Sequence, residues 1–177
     1  PWLANLLPET HLAEIGQRLK VSPQDIVGLL GHIGRDTAGA MSIGAPRKPG
    51  IHLQPVPDAG ALERILDELP AKPFLIGERG VFISLAGVQE KLPVFVDEGG
   101  AISIPVDGTP STHILKPDST RLAGSVENEA FCLALARACG LDAAEATIGV
   151  AGRRRYLLVK RYDRFTDPQG EIRRLHQ

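Results

Sequence analysis

At Phe74 the hydrophobic pattern of the chain changes period. Before it, apolar residues recur at helical spacing; after it they come in short β-rich runs divided by turns and interrupted by one long helical stretch. Leu12, Ile15 and Leu19 stripe a first helix. Ile26, Leu29, Leu30 and Ile33 stripe a second, with Ser22 as its expected N-cap and Pro23 in its first turn. A short strand is expected over 40–43, and "GAPRKPG" and "LQPVPDAG" then read as a linker or long loop. Asp58 opens a helix through Leu62, Ile65, Leu66 and Leu69 that "PAKP" closes. Beyond Phe74, segments 81–85, 92–96, 101–104 and 113–115 read as strands, separated by "DEGG" and "DGTP" turns. Ser125 is the expected N-cap of the long helix, Glu127 and Glu129 lie near its positive end, and Gly140 is its stop. Between Ala130 and Cys139 only Arg137 is charged, so this helix is expected to be buried on most sides. Strands over 146–151 and 156–160 flank the "GRRR" turn. The order predicts an α+β fold with a mainly antiparallel sheet and one helix packed across it.

Composition narrows the class. With 177 residues, 43% hydrophobic and 23% charged, the chain can bury a core. A formal net charge of -1 gives no global case for a nucleic-acid or membrane-surface protein. No apolar run approaches the ~20 residues that span a bilayer, and no signal-peptide arrangement opens the chain, so a cytoplasmic location is expected. Cys132 and Cys139 fall seven residues apart on the long helix, about 10 Å of rise, too far to bridge; both are expected to be small buried hydrophobes. Pro1 begins the chain and Met41 is its only methionine, so a piece of a longer protein is expected.

The chemistry concentrates in two places. In "SLAGVQEK", Ala86 and Gly87 allow backbone amides to approach phosphate oxygens closely, with Gln89 and Lys91 as donors at the rim. The loop is neither a Gly-x-x-x-x-Gly-Lys-Ser/Thr nor a Gly-x-Gly-x-x-Gly motif, and on these residues alone a tight connection between strands is the commoner outcome. In "STHILKP", Lys116 ends a strand and Glu129 follows in the first turns of the next helix, the arrangement by which protein kinases fix a lysine onto nucleotide phosphates. The plain alternative is a solvated lysine and a glutamate that favours the helix dipole. His11, His32, His52, His113 and His176 have no metal-ligand spacing, and Ser84 lies in no nucleophile elbow. The arginines at 153–155 read as a solvated hairpin tip; three charges are few for a DNA-phosphate role.

"SLAGVQEK", "GTPSTHILKP", "SVENEAFCLALARACGL" and "LLVKRYDR" occur in the order and approximate spacing of the HipA family of serine/threonine kinases, the toxins of bacterial toxin-antitoxin pairs, and "NLLPE" and "LLGHIGRDTAGA" resemble its N-terminal subdomain. The resemblance implies a kinase-like small lobe preceded by a small helical and strand subdomain: residues 1–49 for the subdomain, 50–73 for linker and helix, 74–177 for the lobe. It implies ATP contacts from Leu85, Ala86, Gly87, Val88, Gln89, Glu90 and Lys91, from Lys116, and from a hinge of Lys160, Arg161 and Tyr162. Ser84 matches the family's autophosphorylated serine, and Glu129 the partner of the lysine. The family usually has an acidic residue where Lys160 stands. "KRYDRF" mimics a catalytic His-Arg-Asp, but Pro168 stands five residues after Asp163 where an asparagine is needed, so Asp163 is expected to be a decoy. Neither a catalytic residue nor a ligand for Mg²⁺ is therefore expected in this stretch. The implied partners are a HipB-like antitoxin, DNA mainly through that antitoxin, and an aminoacyl-tRNA synthetase as substrate, typically glutamyl-tRNA synthetase. The alternative is a non-catalytic module with a kinase-like small lobe that docks an antitoxin or another subunit.

Overall fold

The computed structural model describes residues 2–46, 49–119 and 122–176. After a 3₁₀ turn at Trp2–Leu6, helices α1 (Leu12–Leu19) and α2 (Ile26–Ile33) pack through the expected stripes, burying Ile15, Leu29, Leu30 and Ile33. Each such side chain contributes about 1.5–3 kcal/mol of burial free energy. The N-cap of α2 is Asp25, not Ser22: its carboxylate accepts from the Gly28 amide at 2.9 Å, whereas the Ser22 hydroxyl accepts from the Gln24 amide in the preceding turn. Asp25 directly precedes the first apolar residue of the stripe, the position from which a side chain reaches the orphan amides. The strand expected over 40–43 is absent. That segment folds back on α2, with the Ile43 amide donating to Gly34 and the Thr37 hydroxyl to the Met41 carbonyl, so its polar groups are used locally.

Strands β1 (Leu53–Pro55), β2 (Leu92–Val96), β3 (Ile102–Pro105), β4 (His113–Pro117), β5 (Ala146–Ala151) and β6 (Arg154–Lys160) form one antiparallel sheet in the order β1-β3-β2-β4-β6-β5. The edge strand β1 comes from the proline-rich stretch read as linker; Arg47 and Lys48 of that stretch lie outside the described residues. Helix α3 (Ala59–Glu68), capped by Asp58 as expected, packs Leu62 and Leu66 against Leu92, Val94 and Leu115. Helix α4 (Ser125–Ala138) contacts β5 and β6. Two helices therefore pack on this sheet where one was expected. A short hairpin of β7 (Arg164–Thr166) and β8 (Ile172–Arg174) follows.

Segment 81–85 does not form the expected strand. It makes one parallel bridge, Ile83 with Asp36, and threads between two cores: Val81 and Ile83 enter the one beneath the sheet, Leu85 the one around α1 and α2. The Ser84 amide donates to the Asp36 carbonyl and the Asp36 amide to Phe82, so the extended backbone is satisfied by the N-terminal segment rather than by a sheet neighbour.

Three expectations about α4 are corrected. Val126 is its one buried residue; Phe131 is 65% exposed, and Cys132 and Cys139 are free and exposed. A helix lying on one face of a sheet needs only one covered side, and a scarcity of charge does not say what lies on the other. The N-cap is Gly124, with φ of 79°, rather than Ser125. The capping carboxylate is Asp118, which accepts from the Ser125 amide at 3.0 Å and hydroxyl at 2.7 Å. These bonds, the Ser125 hydroxyl's foremost, hold the Asp118 carboxyl below its ordinary range. Gly140, at φ 81°, ends the helix as expected.

The arginines of the β5–β6 turn are ion-paired, with Arg153 and Arg155 solvated as expected and Arg154 largely covered. Arg153 pairs with Glu63, Arg154 with Asp67 and Arg155 with Glu127, fastening the hairpin to α3 and α4. With each charge opposed by a carboxylate, the turn offers no net positive patch to DNA phosphates.

Candidate functional site

Alternation along β4 decides the site. Leu115 points into the core beneath α3, so Ile114 and Lys116 point to the other face, where α4 lies. Asp118, capping α4, sets the start of that helix and brings Glu129, in its second turn, opposite the lysine. Lys116 Nζ donates to Glu129 Oε1 at 2.5 Å, with both side chains largely but not wholly covered.

The segment 85–91 lies beside this pair. Gly87 has φ of 107°, a conformation that favours glycine, and a Cβ there would lie 2.5 Å from Lys91 Nζ. Lys91, expected at the rim, is instead buried beneath the loop, and its Nζ donates to the Ala86 carbonyl. Burial pushes its ammonium pKa down, the charge of Lys116 adds to this, and Glu9 and Glu129 oppose it. The Lys91 and Lys116 ammoniums thus stand close enough to feel one another, with Glu9 and Glu129 offsetting part of their charge. Val88 is exposed, while Gln89 and Glu90 line a cavity with Thr10, His11, Pro117 and Ser119.

A second cavity is lined by Leu85, Lys116, Glu129, Lys160, Arg161 and Tyr162 among others. Of the residues expected at the loop, Leu85 borders this space together with the lysine pair and the hinge, while Val88, Gln89 and Glu90 border the first cavity. In the hinge, the Lys160 amide donates to Glu145 at 2.8 Å and the Arg161 amide to Thr112 at 3.0 Å, while Tyr162 is 71% exposed. Lys160 Nζ pairs with Glu145, which stands across the strand pair.

Ser84 is fully buried, its hydroxyl donating to the Leu6 carbonyl at 2.6 Å. A phosphate on it requires the segment to leave this position. Asp163 is also buried; its carboxylate takes two bonds from Arg161 and one from the Gly39 amide, and Arg164 lies 3.0 Å away, the surroundings of a structural carboxylate.

Behind the hinge lies an ionic cluster that no sequence motif signalled. Asp36 accepts from Ser111 through both amide and hydroxyl and faces Arg161, Arg164 and Arg174. The one available signal was the density of charge in "KRYDR" at the end of β6. Burial opposes ionisation of both Asp36 and Asp163, yet the surrounding guanidiniums outweigh it and both carboxyls sit below their ordinary value. Groups whose pKa is depressed by folding stabilise the fold above the unfolded value, about 4, and lose that contribution as pH falls through the folded value. Thermal melts are therefore expected to show a steep fall in Tm below about pH 4, distinct from the smaller fall below about pH 6.5 that half-buried His113 contributes because burial lowers its pKa. A Tm unchanged down to pH 3 counts against an ionised cluster.

Among the described residues no group of three or more His, Cys, Asp or Glu side chains is arranged to hold a metal ion, and no helix is long and apolar enough to cross a membrane.

Residues 1–44 match the HipA N-terminal domain and residues 83–177 the HipA-like C-terminal domain. The chain is 40% identical over 185 residues to a Sinorhizobium fredii protein named "Putative kinase Y4mE", covering all of this chain and 44% of that protein. It is 34% identical to the serine/threonine-protein kinase toxin HipA of Shewanella oneidensis, covering 99% of this chain and 40% of the toxin. A structure of Shewanella oneidensis HipA with HipB and operator DNA superimposes with a TM-score of 0.76 at 31% identity, over 98% of this chain and 41% of that one. The chain thus spans about two fifths of the length of these relatives.

Proposed function

The chain belongs to the HipA family, and on that premise we propose that it is the N-terminal part of an ATP-dependent serine/threonine kinase of a toxin-antitoxin system, and that it supplies the nucleotide-holding half of the site. The observation that carries this reading is the Lys116–Glu129 ion pair bordering the same cavity as Leu85 and Tyr162. Glu129 orders a flexible ammonium so that its charge meets phosphate without further loss of side-chain freedom. Amides of the loop 85–91 face the phosphates, with Gly87 permitting their approach, and Lys91 braces the loop from beneath. The 160–162 segment receives the adenine; with the Lys160 and Arg161 amides engaged in the protein, Tyr162 offers the backbone donor.

ATP supplies the γ-phosphoryl group, which passes to a serine of a protein substrate; family resemblance points to glutamyl-tRNA synthetase. In this reading the Mg²⁺ ligands and the aspartate base come from the remainder of a longer chain. A HipB-like antitoxin is the expected partner, with DNA reached mainly through it; the Shewanella structure holds HipA together with HipB and operator DNA.

The test is full-length protein with ATP and Mg²⁺, followed by mass spectrometry for phosphate on Ser84 and on the synthetase. Transfer is expected. Nucleotide binding without transfer to any serine favours the docking module instead, and no nucleotide binding at all overturns the reading of the cavity. Phosphate on Ser84 is expected to weaken ATP binding, since it adds nearly two negative charges beside the site and has no room in the buried position.

A further inference from the structure

We propose that Asp36 is a positioning residue for the nucleotide base: acting through Arg161 and Arg164, it ties the 160–162 segment to the N-terminal segment 36–39, so that base recognition depends on a part of the chain remote from the nucleotide. This rests on the nucleotide reading of the cavity and goes beyond it by naming what holds the base-facing wall.

The geometry is specific. Arg161 lies in the middle of the base-facing segment, and its guanidinium is turned inward, 4% exposed. Its Nη1 donates to Ser111 Oγ at 2.9 Å and lies 3.5 Å from Asp36 Oδ2; its Nη2 donates to the Thr37 carbonyl and to Asp163 Oδ2, both at 2.8 Å. Arg164, just past the segment, donates to Asp36 Oδ1 at 2.9 Å, to Thr37 at 2.7 Å and to the Gly39 carbonyl at 3.0 Å. Asp36 is 1% exposed and faces Ser111 just before β4, Arg161 and Arg164 on either side of Tyr162, and Arg174 on β8.

Lys160 and Tyr162, by contrast, are solvent-exposed, so packing does not hold them. The backbone there is fixed at Lys160 by its pairing in β6 and its amide bond to Glu145, and beyond it by the Arg161 amide bonded to Thr112 and the Arg161 side chain locked in the cluster. Desolvating three guanidiniums and two carboxylates is costly, and a hydrophobic plug of equal volume commonly serves stability as well. Ions, however, hold their partners in one direction and at one distance, which a base-binding wall requires.

The test compares two ligands of the full-length protein, ATP and inorganic tripolyphosphate, each with Mg²⁺; the second carries the phosphates without the base. Asp36→Asn places an amide N–H against a guanidinium and is expected to raise the Kd for ATP about ten-fold or more while changing that for tripolyphosphate less than two-fold. Ser111→Ala removes one hydroxyl from the cluster and leaves every charge in place; it is expected to shift ATP binding in the same sense by about three-fold. If Asp36→Asn does not fold, the Ser111→Ala ratio decides. Equal weakening of both ligands, or unchanged ATP affinity in a folded variant, overturns the positioning role while leaving the cavity's function intact. A wild-type protein that binds neither ligand overturns the nucleotide reading and this inference together.

Discussion

Lys116→Ala is expected to lower phosphotransfer by the full-length protein by about 10²–10³-fold, the usual cost of removing one preorganised donor from a developing anionic charge. The fold is expected to survive. Lys116 and Glu129 retain 22% and 30% side-chain exposure, so the orphaned carboxylate can be hydrated, and a pair of this kind contributes no more than about 1 kcal/mol. Lys116→Arg keeps the charge but replaces a compact ammonium with a planar fork that the site was not shaped to receive, so only partial activity is expected. The measurement is γ-phosphate transfer alongside a thermal melt. Undiminished transfer by the alanine variant removes Lys116 from the nucleotide site.

For Asp163→Ala the expected effect is on stability: a loss of about 3–5 kcal/mol, because Arg161 and Arg164 remain buried with one of their two carboxylates gone. The Gly39 amide loses its acceptor as well. For a chain of this size the loss corresponds to a fall in Tm of roughly 10 °C. Denaturant titration or calorimetry reads it directly. A catalytic aspartate behaves in the opposite way, since its removal ends activity and leaves stability unchanged or improved. An Asp163→Ala protein as stable as wild type would therefore contradict the structural role and reopen the chemical one.

The two variants separate two kinds of legibility. Lys116 and Glu129 were readable because a strand lysine and an early helix glutamate are joined by a short connection, and the four linked motifs specify their family. The Asp163 cluster was not readable beyond the mismatch at Pro168. Which of the 20 Lys and Arg side chains meets which carboxylate depends on distances that no spacing rule contains. Asp36 sits in a stretch read for its likeness to a family subdomain, and nothing around it says that it ends up beneath residues 161–164.

Local order followed from the sequence itself. β2 at Leu92–Val96 and β5 at Ala146–Ala151 have the expected bounds, the Asp58 cap and Gly140 stop stand where expected, and the α1 and α2 stripes face inward. All of these depend on contacts within a few residues, or on one side of an element being uniformly apolar. Tertiary structure alone decided which extended segments become strands, how far α4 is covered, and where the charges of 153–155 and 161–164 are neutralised. Segment 81–85 has the composition of a strand but pairs with Asp36 rather than with a strand of the sheet, and α4 has the composition of a core helix but packs on β5 and β6 with Phe131 and Cys132 left exposed. Pairing, burial and ion matching are properties of what stands opposite a residue in space, and that is set by the whole chain.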